Sequence, residues 1–145
     1  MSAQERIDTT PILRGVQSQE IIDLWDLIMP IMVAACVRSR GKFTAGDIMK
    51  AIALQDMQLW LATDGPEICA LAVTELVNYP QRRVCRVLIV TGEDRERWIG
   101  YSETISAWAK ASGCRGIEAL ARPGWRRTME ALGWQMTHIF LEKDL

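Results

Sequence analysis

Gly92 stands where backbone amides could meet an anion. It follows the apolar, β-branched run Val84-Cys85-Arg86-Val87-Leu88-Ile89-Val90 and precedes residues 95–112, whose apolar positions recur at helical spacing. A helix that starts just past a strand offers unpaired N–H groups and the positive end of its dipole, so residues 90–97 border a candidate anion seat. Val90, Thr91, Gly92, Arg95, Arg97 and Trp98 are the residues placed to form it. Other groups capable of chemistry are few. His138 is the single imidazole and reads first as a hydrogen-bonded structural histidine. Tyr79, beside Pro80, reads as a turn anchor, and Tyr101 as a helix-surface residue. Cys36, Cys69, Cys85 and Cys114 lie in or beside apolar segments without C-x-x-C spacing, which points to buried, reduced thiols and away from a metal.

The elements that must position these residues follow from periodicity. Residues 84–120 read as a β-α-β unit: two apolar strands, made parallel by a right-handed crossover through an amphipathic helix. Upstream, Leu59-Trp60-Leu61-Ala62, residues 68–77 and residues 84–91 have strand period and are separated by turns at Asp64-Gly65-Pro66 and Tyr79-Pro80-Gln81, which predicts an antiparallel meander. Before them, Ser18 opens a helix with Ile21, Leu24, Trp25, Ile28, Met32 and Ala35 on one face, and Pro30 predicts a kink or break in it. Thr44-Ala45-Gly46-Asp47 has capping-box spacing and opens a second helix through about Leu54. The basic loop Arg38-Ser39-Arg40-Gly41-Lys42 between them reads as a solvated turn before it reads as a phosphate contact. After residues 116–120, Pro123-Gly124 opens a short helix with Trp125, Met129 and Leu132 inward, and residues 134–142 are expected to form the last strand. In residues 1–17, an N-terminal extension, Ile12 and Leu13 could add a short strand or pack on the body.

The chain has 145 residues and a formal net charge of −1, so it fits one α+β domain over residues 18–145 with a core of useful size and no global basic field. Nucleic acid is therefore not an expected partner. The N-terminus lacks a signal-peptide pattern, and the longest uncharged apolar run, residues 27–37, is far shorter than the roughly 20 residues that cross a bilayer, so a soluble, intracellular protein is expected. Six tryptophans are more than one small core needs in its centre. Trp60, Trp108 and Trp134 fall at core-compatible periods, while Trp98 and Trp125 are the candidates for a groove or interface.

The order helix, helix, three-strand meander, helix, strand, helix, strand resembles the GNAT superfamily of acetyltransferases from about Ser18 onward. In the tail, Trp125-Arg126-Arg127-Thr128-Met129-Glu130-Ala131-Leu132-Gly133-Trp134 looks like that fold's short helix running into a Gly-Phe step, with Trp134 in place of Phe. The resemblance implies a GNAT-like sheet with a central β-α-β crossover, and acetyl-CoA as cofactor with its pyrophosphate on backbone amides of a glycine loop. Here that loop is Thr91-Gly92-Glu93-Asp94-Arg95-Glu96-Arg97, with one glycine kept and two carboxylates beside it. A carboxylate 4 Å from a phosphate costs up to about 4 kcal/mol at surface-like dielectric, against roughly 0.3–2 kcal/mol contributed by a helix terminus. Asp94 reads first as the cap of the following helix. The family's tyrosine general acid falls on Met129, which has no proton to give, and the strand carboxylates Glu75 and Glu118 are the candidates for a general base. Gly41-Lys42-Phe43-Thr44, Leu59-Trp60, Thr74-Glu75-Leu76-Val77-Asn78-Tyr79-Pro80 and Gly124-Trp125 also resemble small GNAT-like proteins encoded in phage genomes. That implies an alternative to catalysis: a virion-associated or internal interaction protein, with a protein partner or homo-oligomer, in the host cytoplasm or within the phage particle.

Overall fold

Five strands form one sheet in the order β1-β2-β3-β4-β5. The computed structural model describes residues 11–93 and 95–145. Residues 1–10 of the expected extension, and Asp94 with its expected capping role, lie outside the described residues. β2 (Gln58–Asp64), β3 (Glu67–Asn78) and β4 (Arg83–Gly92) make the predicted antiparallel meander. Asp64 pairs with Glu67 across Gly65-Pro66, and Gly65 takes a φ of 58°, the left-handed conformation a tight hairpin requires. β1 (Ile12–Gly15) adds to the outer edge of β2, as Ile12 and Leu13 allowed. β5 (Gly116–Ala119) lies parallel to β4.

Alternation along the strands sends side chains to two separate cores. Leu59, Leu61, Leu71 and Val73 pack under α1 (Ile21–Cys36) and α2 (Ala45–Ala53), against Ile28, Met32, Ile48 and Met49. Trp60, Ala72 and Cys85 face the opposite way, onto Ile105 and Ala109 of α3 (Ser102–Ala111). Trp98 packs beside them on Ala62 and Ala70, with Trp125 at the start of α4 (Arg126–Ala131) partly buried against it. The capping box of α2 is formed: Asp47 N donates to Thr44 Oγ1 at 3.1 Å, and Thr44 N to Asp47 Oδ2 at 2.9 Å. Those bonds, the backbone one first, hold the Asp47 carboxyl below its ordinary range.

Three expectations are corrected, the first in part. Of the kink or break expected at Pro30, the break is absent, and α1 runs through it. Pro30 and Asp26, whose carbonyl loses its helical donor, are both exposed, so water can satisfy that carbonyl. The crossover helix does not begin at Arg95. Arg95–Arg97 and Ile99–Tyr101 are two 3-10 turns, and α3 starts at Ser102. Trp98 leaves helical geometry (φ −133°, ψ −6°) and buries its ring to 6 % exposure, so its burial outweighs the helical pattern read around it. Finally, residues 134–142 form no strand. Gly133, at φ 93°, turns the chain after α4, and the tail crosses to the 38–42 loop, where Glu142 and Asp144 find cations. β5 is only four residues long and offers a short template for a ladder. No helix among the described residues is long and apolar enough to cross a membrane.

Candidate functional site

The site is a fork between two parallel strands. The β4–β5 ladder runs from Val84↔Gly116 to Val87↔Ala119 and stops, while β4 continues to Gly92. At the parting point, the β3–β4 register steps from Thr74↔Val87 to Val73↔Ile89, leaving Leu88 as an extra residue. Such a bulge bends a strand and increases its twist, here as β4 leaves β5. A cavity of about 400 Å³ occupies the fork, lined by Val87 to Val90 on one side and Ile117, Ala119 and Leu120 on the other. It reaches both faces of the sheet.

On the α3 face the cavity meets Trp98, Tyr101, Ser102, Trp125 and Met129. Trp98 Nε1 donates to Glu93 O at 2.8 Å, and its ring lies 5.9 Å from that of Trp125, tilted at 50°. Arg95 lies over Trp125, with Cζ 4.6 Å from the ring centre, and has no carboxylate partner among the described residues. Ser102 Oγ is buried with no hydrogen-bond partner among the described residues. On the α1/α2 face the lining is Cys36, Arg38, Arg40, Lys42 and, from the tail, Phe140 and Glu142.

Of the residues expected to hold a cofactor, Val90 and Trp98 line this cavity. Thr91, Gly92 and Arg97 line a second cavity of about 290 Å³ with Glu67, Cys69 and Glu93. Arg97 is drawn to Asp64, Nη2 to Oδ2 at 3.1 Å. A Cβ on Gly92 would stand 2.6 Å from Cys69 O and 2.8 Å from Ala70 Cβ, so the missing side chain serves the close approach of β4 to β3. Since α3 starts at Ser102, the anion seat has 3-10 turns where a helix terminus was expected. Trp98, read as a surface candidate, is buried.

Glu75 and Glu118 come together, but on an arginine. Arg86 Nη1 reaches Glu75 Oε1 at 3.3 Å, and its Nε reaches Glu118 Oε1 at 3.0 Å. Tyr79 OH donates to Glu118 Oε1 at 2.9 Å and accepts from Arg86 Nη2 at 3.0 Å. Burial pulls the Arg86 guanidinium down, but its bonds to Glu118 and Tyr79 outweigh this and hold it above its ordinary value. Arg86↔Glu118 is the last register pair before Val87↔Ala119, so this cluster clamps the closed end of the fork, and none of its members lines the cavity. His138 is exposed, 2.8 Å from Thr137 Oγ1. All four cysteines are free and buried, as their context implied. Desolvation, with Cys114 close by, pushes the Cys85 thiol from 9.0 to about 11.

Sequence reasoning missed Tyr101 as a cavity residue, because a helix drawn from Arg95 turns it to the surface, whereas Ser102 falls on the same face of that helix as Trp98 and Ile105. It also set aside the 38–42 loop. The signal for that loop was in the tail: acidic Glu142 and Asp144 at the end of the chain answer a basic loop a hundred residues earlier.

The arrangement of sheet, crossover and fork is that of a GNAT-like fold. The chain is similar over 92 % of its length to a probable acetyltransferase structure (96 % of that chain; TM-score 0.71; 11 % identity). It is similar over the same share to a predicted acetyltransferase from Clostridium acetobutylicum solved with acetyl-CoA (96 % of that chain; TM-score 0.66; 19 % identity). Glucosamine-6-phosphate N-acetyltransferase from Arabidopsis thaliana matches over 94 % of this chain and 99 % of its own (TM-score 0.66; 13 % identity). No family model and no curated protein sequence matches the chain.

Proposed function

We propose that the chain is an acyl-CoA-dependent N-acyltransferase, with acetyl-CoA as the expected donor. The observation that carries this reading is the fork: beyond Val87 the β4 edge that faced β5 has no strand partner among the described residues and borders an apolar cavity open to both faces. Backbone groups on such an edge need partners, and the amides of a pantetheine arm supply them much as an added strand would. Val90 and Trp98 wall the thioester end in this assignment, and Arg95 supplies the cation for phosphate, while Thr91, Gly92 and Arg97 shape the turn behind it. The acceptor amine enters from the α1/α2 face. Its nitrogen attacks the thioester carbonyl, the C–N bond forms as the C–S bond breaks, the nitrogen's proton passes to solvent, and the leaving thiolate takes a proton. Tyr101 is the phenol on the cavity wall and is assigned that donation. Glu75 and Glu118, both engaged by Arg86, are assigned to holding the fork.

A second reading, a non-catalytic interaction protein of the kind the phage resemblance implies, is favoured by Met129 on the cavity wall and by the exposed Ile139 and Leu141 of the tail. A melt with acetyl-CoA separates the two. Ligand at a hundredfold its Kd stabilises the fold by about 2.7 kcal/mol and raises Tm by several degrees. The expected result is a rise in wild type that grows in Glu93→Gly, where a carboxylate beside the phosphates is removed, and shrinks in Arg95→Glu. Tyr101→Phe should then lower kcat about a hundredfold at unchanged acetyl-CoA affinity. Flat melts to millimolar ligand in both wild type and Glu93→Gly would leave the second reading.

A further inference from the structure

The tail crosses the α1/α2 mouth of the fork outside any helix or strand. Its Phe140, Glu142 and Asp144 meet the 38–42 loop. Lys42 Nζ lies 4.9 Å from the centre of the Phe140 ring and also pairs with Glu142. Arg40 Nε reaches Glu142 Oε2 at 3.3 Å, and its Nη2 reaches Asp144 Oδ2 at 3.7 Å. The Glu142 side chain is 22 % exposed while those of Arg40 and Lys42 are 59 % and 51 %, so the carboxylate is seated inward of both cations. Two successive left-handed residues, Arg40 and Gly41, build the turn that carries these cations. Phe140 and Glu142 line the cavity itself. Nothing fastens this segment through its backbone: among the described residues, 135–145 make no backbone–backbone hydrogen bond outside regular elements, and they form no strand. Ion pairs of such exposure are weak and salt-screened, so the tail can leave.

We propose that this mouth is a groove for an acidic peptide, read as aromatic-x-acid-x-acid, and that the chain's own tail occupies it as an internal competitor. The occupant already present is a peptide of that pattern. Cationic residues on the loop recognise the carboxylates, and the Phe140 position supplies a ring for Lys42. Resting on the acyltransferase reading, this makes the acceptor an amine carried by an acidic polypeptide, admitted only when the tail swings out. The binding itself does not need acyl transfer.

The test uses the full chain with its tail loosened by Phe140→Ala and Glu142→Gln. The probe is a fluorescent peptide of residues 138–145 (His-Ile-Phe-Leu-Glu-Lys-Asp-Leu), followed by anisotropy at low salt. The loosened chain should bind it at least tenfold tighter than wild type does, and the same peptide with Glu142→Gln should bind at least tenfold more weakly. Adding Lys42→Gln to the loosened chain should remove binding. Equal binding of the two peptides, no binding to the loosened chain, or dimerisation of that chain in light scattering without peptide uptake would overturn the proposal. If the double variant fails to fold, the single variant Glu142→Gln takes its place: it should bind the peptide at least threefold tighter than wild type does, and binding no tighter than wild type overturns the proposal. Acetyl-CoA binding, measured by calorimetry on the same samples, shows separately whether the acyltransferase reading has failed.

Discussion

Thr74 is the one polar residue among the described ones buried in the core, and it is fully used. Its hydroxyl accepts from Trp60 Nε1 at 3.0 Å and donates to Gln58 Oε1 at 2.9 Å, stitching β2 to β3 beneath α3. Trp60 in turn meets Trp108 edge-to-face, with ring centres 5.2 Å apart. Thr74→Val keeps the shape but strands an indole N–H in the interior, so it should cost about 1–3 kcal/mol in urea melts. A loss under about 0.5 kcal/mol would mean that water reaches the indole. At this scale the sequence was partly legible. Periodicity placed Trp60 and Trp108 in the core and the four thiols in buried segments, because burial follows the face of an element. Periodicity does not say which polar atoms meet across strands, so the sharing of Arg86 by Glu75, Glu118 and Tyr79 stayed invisible, and two carboxylates that read as candidate bases are found on a guanidinium.

Elements hold the fork open by a close approach on one side and a clamp at its base. Gly92 ends β4 against β3 opposite Ala70, with no room for a side chain. Gly92→Ala must push the strand end away from Cys69 and Ala70, and the expected cost is about 1–3 kcal/mol in the absence of any ligand. A neutral result in a ligand-free melt, joined to lost acetyl-CoA binding, would return Gly92 to a phosphate-contacting role. The meander, the parallel β4–β5 pair and the α2 capping box were all readable, since each rests on local turn chemistry or a long apolar run. The start of α3 and the fate of the tail were not. Both are decided by where a distant partner lies: the sheet surface that buries Trp98, and the cations that hold Glu142.

The described residues form a sheet with a core on each face, joined through the fork, and stability should be graded accordingly. β3 is paired on both sides and buried along Cys69 to Thr74, so its amides open only with the entire fold. The tail has ion pairs and no ladder, with Ile139 76 % and Leu141 85 % exposed, which places it at the opposite extreme. For a domain with the usual 5–15 kcal/mol, hydrogen exchange at Leu71, Val73 and Val87 should be slower than at residues 135–141 by about 10³-fold or more. The contrast follows from the fork's construction. A site between diverging strands needs one rigid wall to fix the reacting groups and one loose side through which an acceptor passes. In the proposed reaction β4, anchored on β3, serves as that wall, and the tail as the loose side. Protection of residues 135–141 comparable to that of β3 would show that the segment pairs as a strand in solution, and its concentration dependence would reveal whether the pairing is with a second copy of the chain.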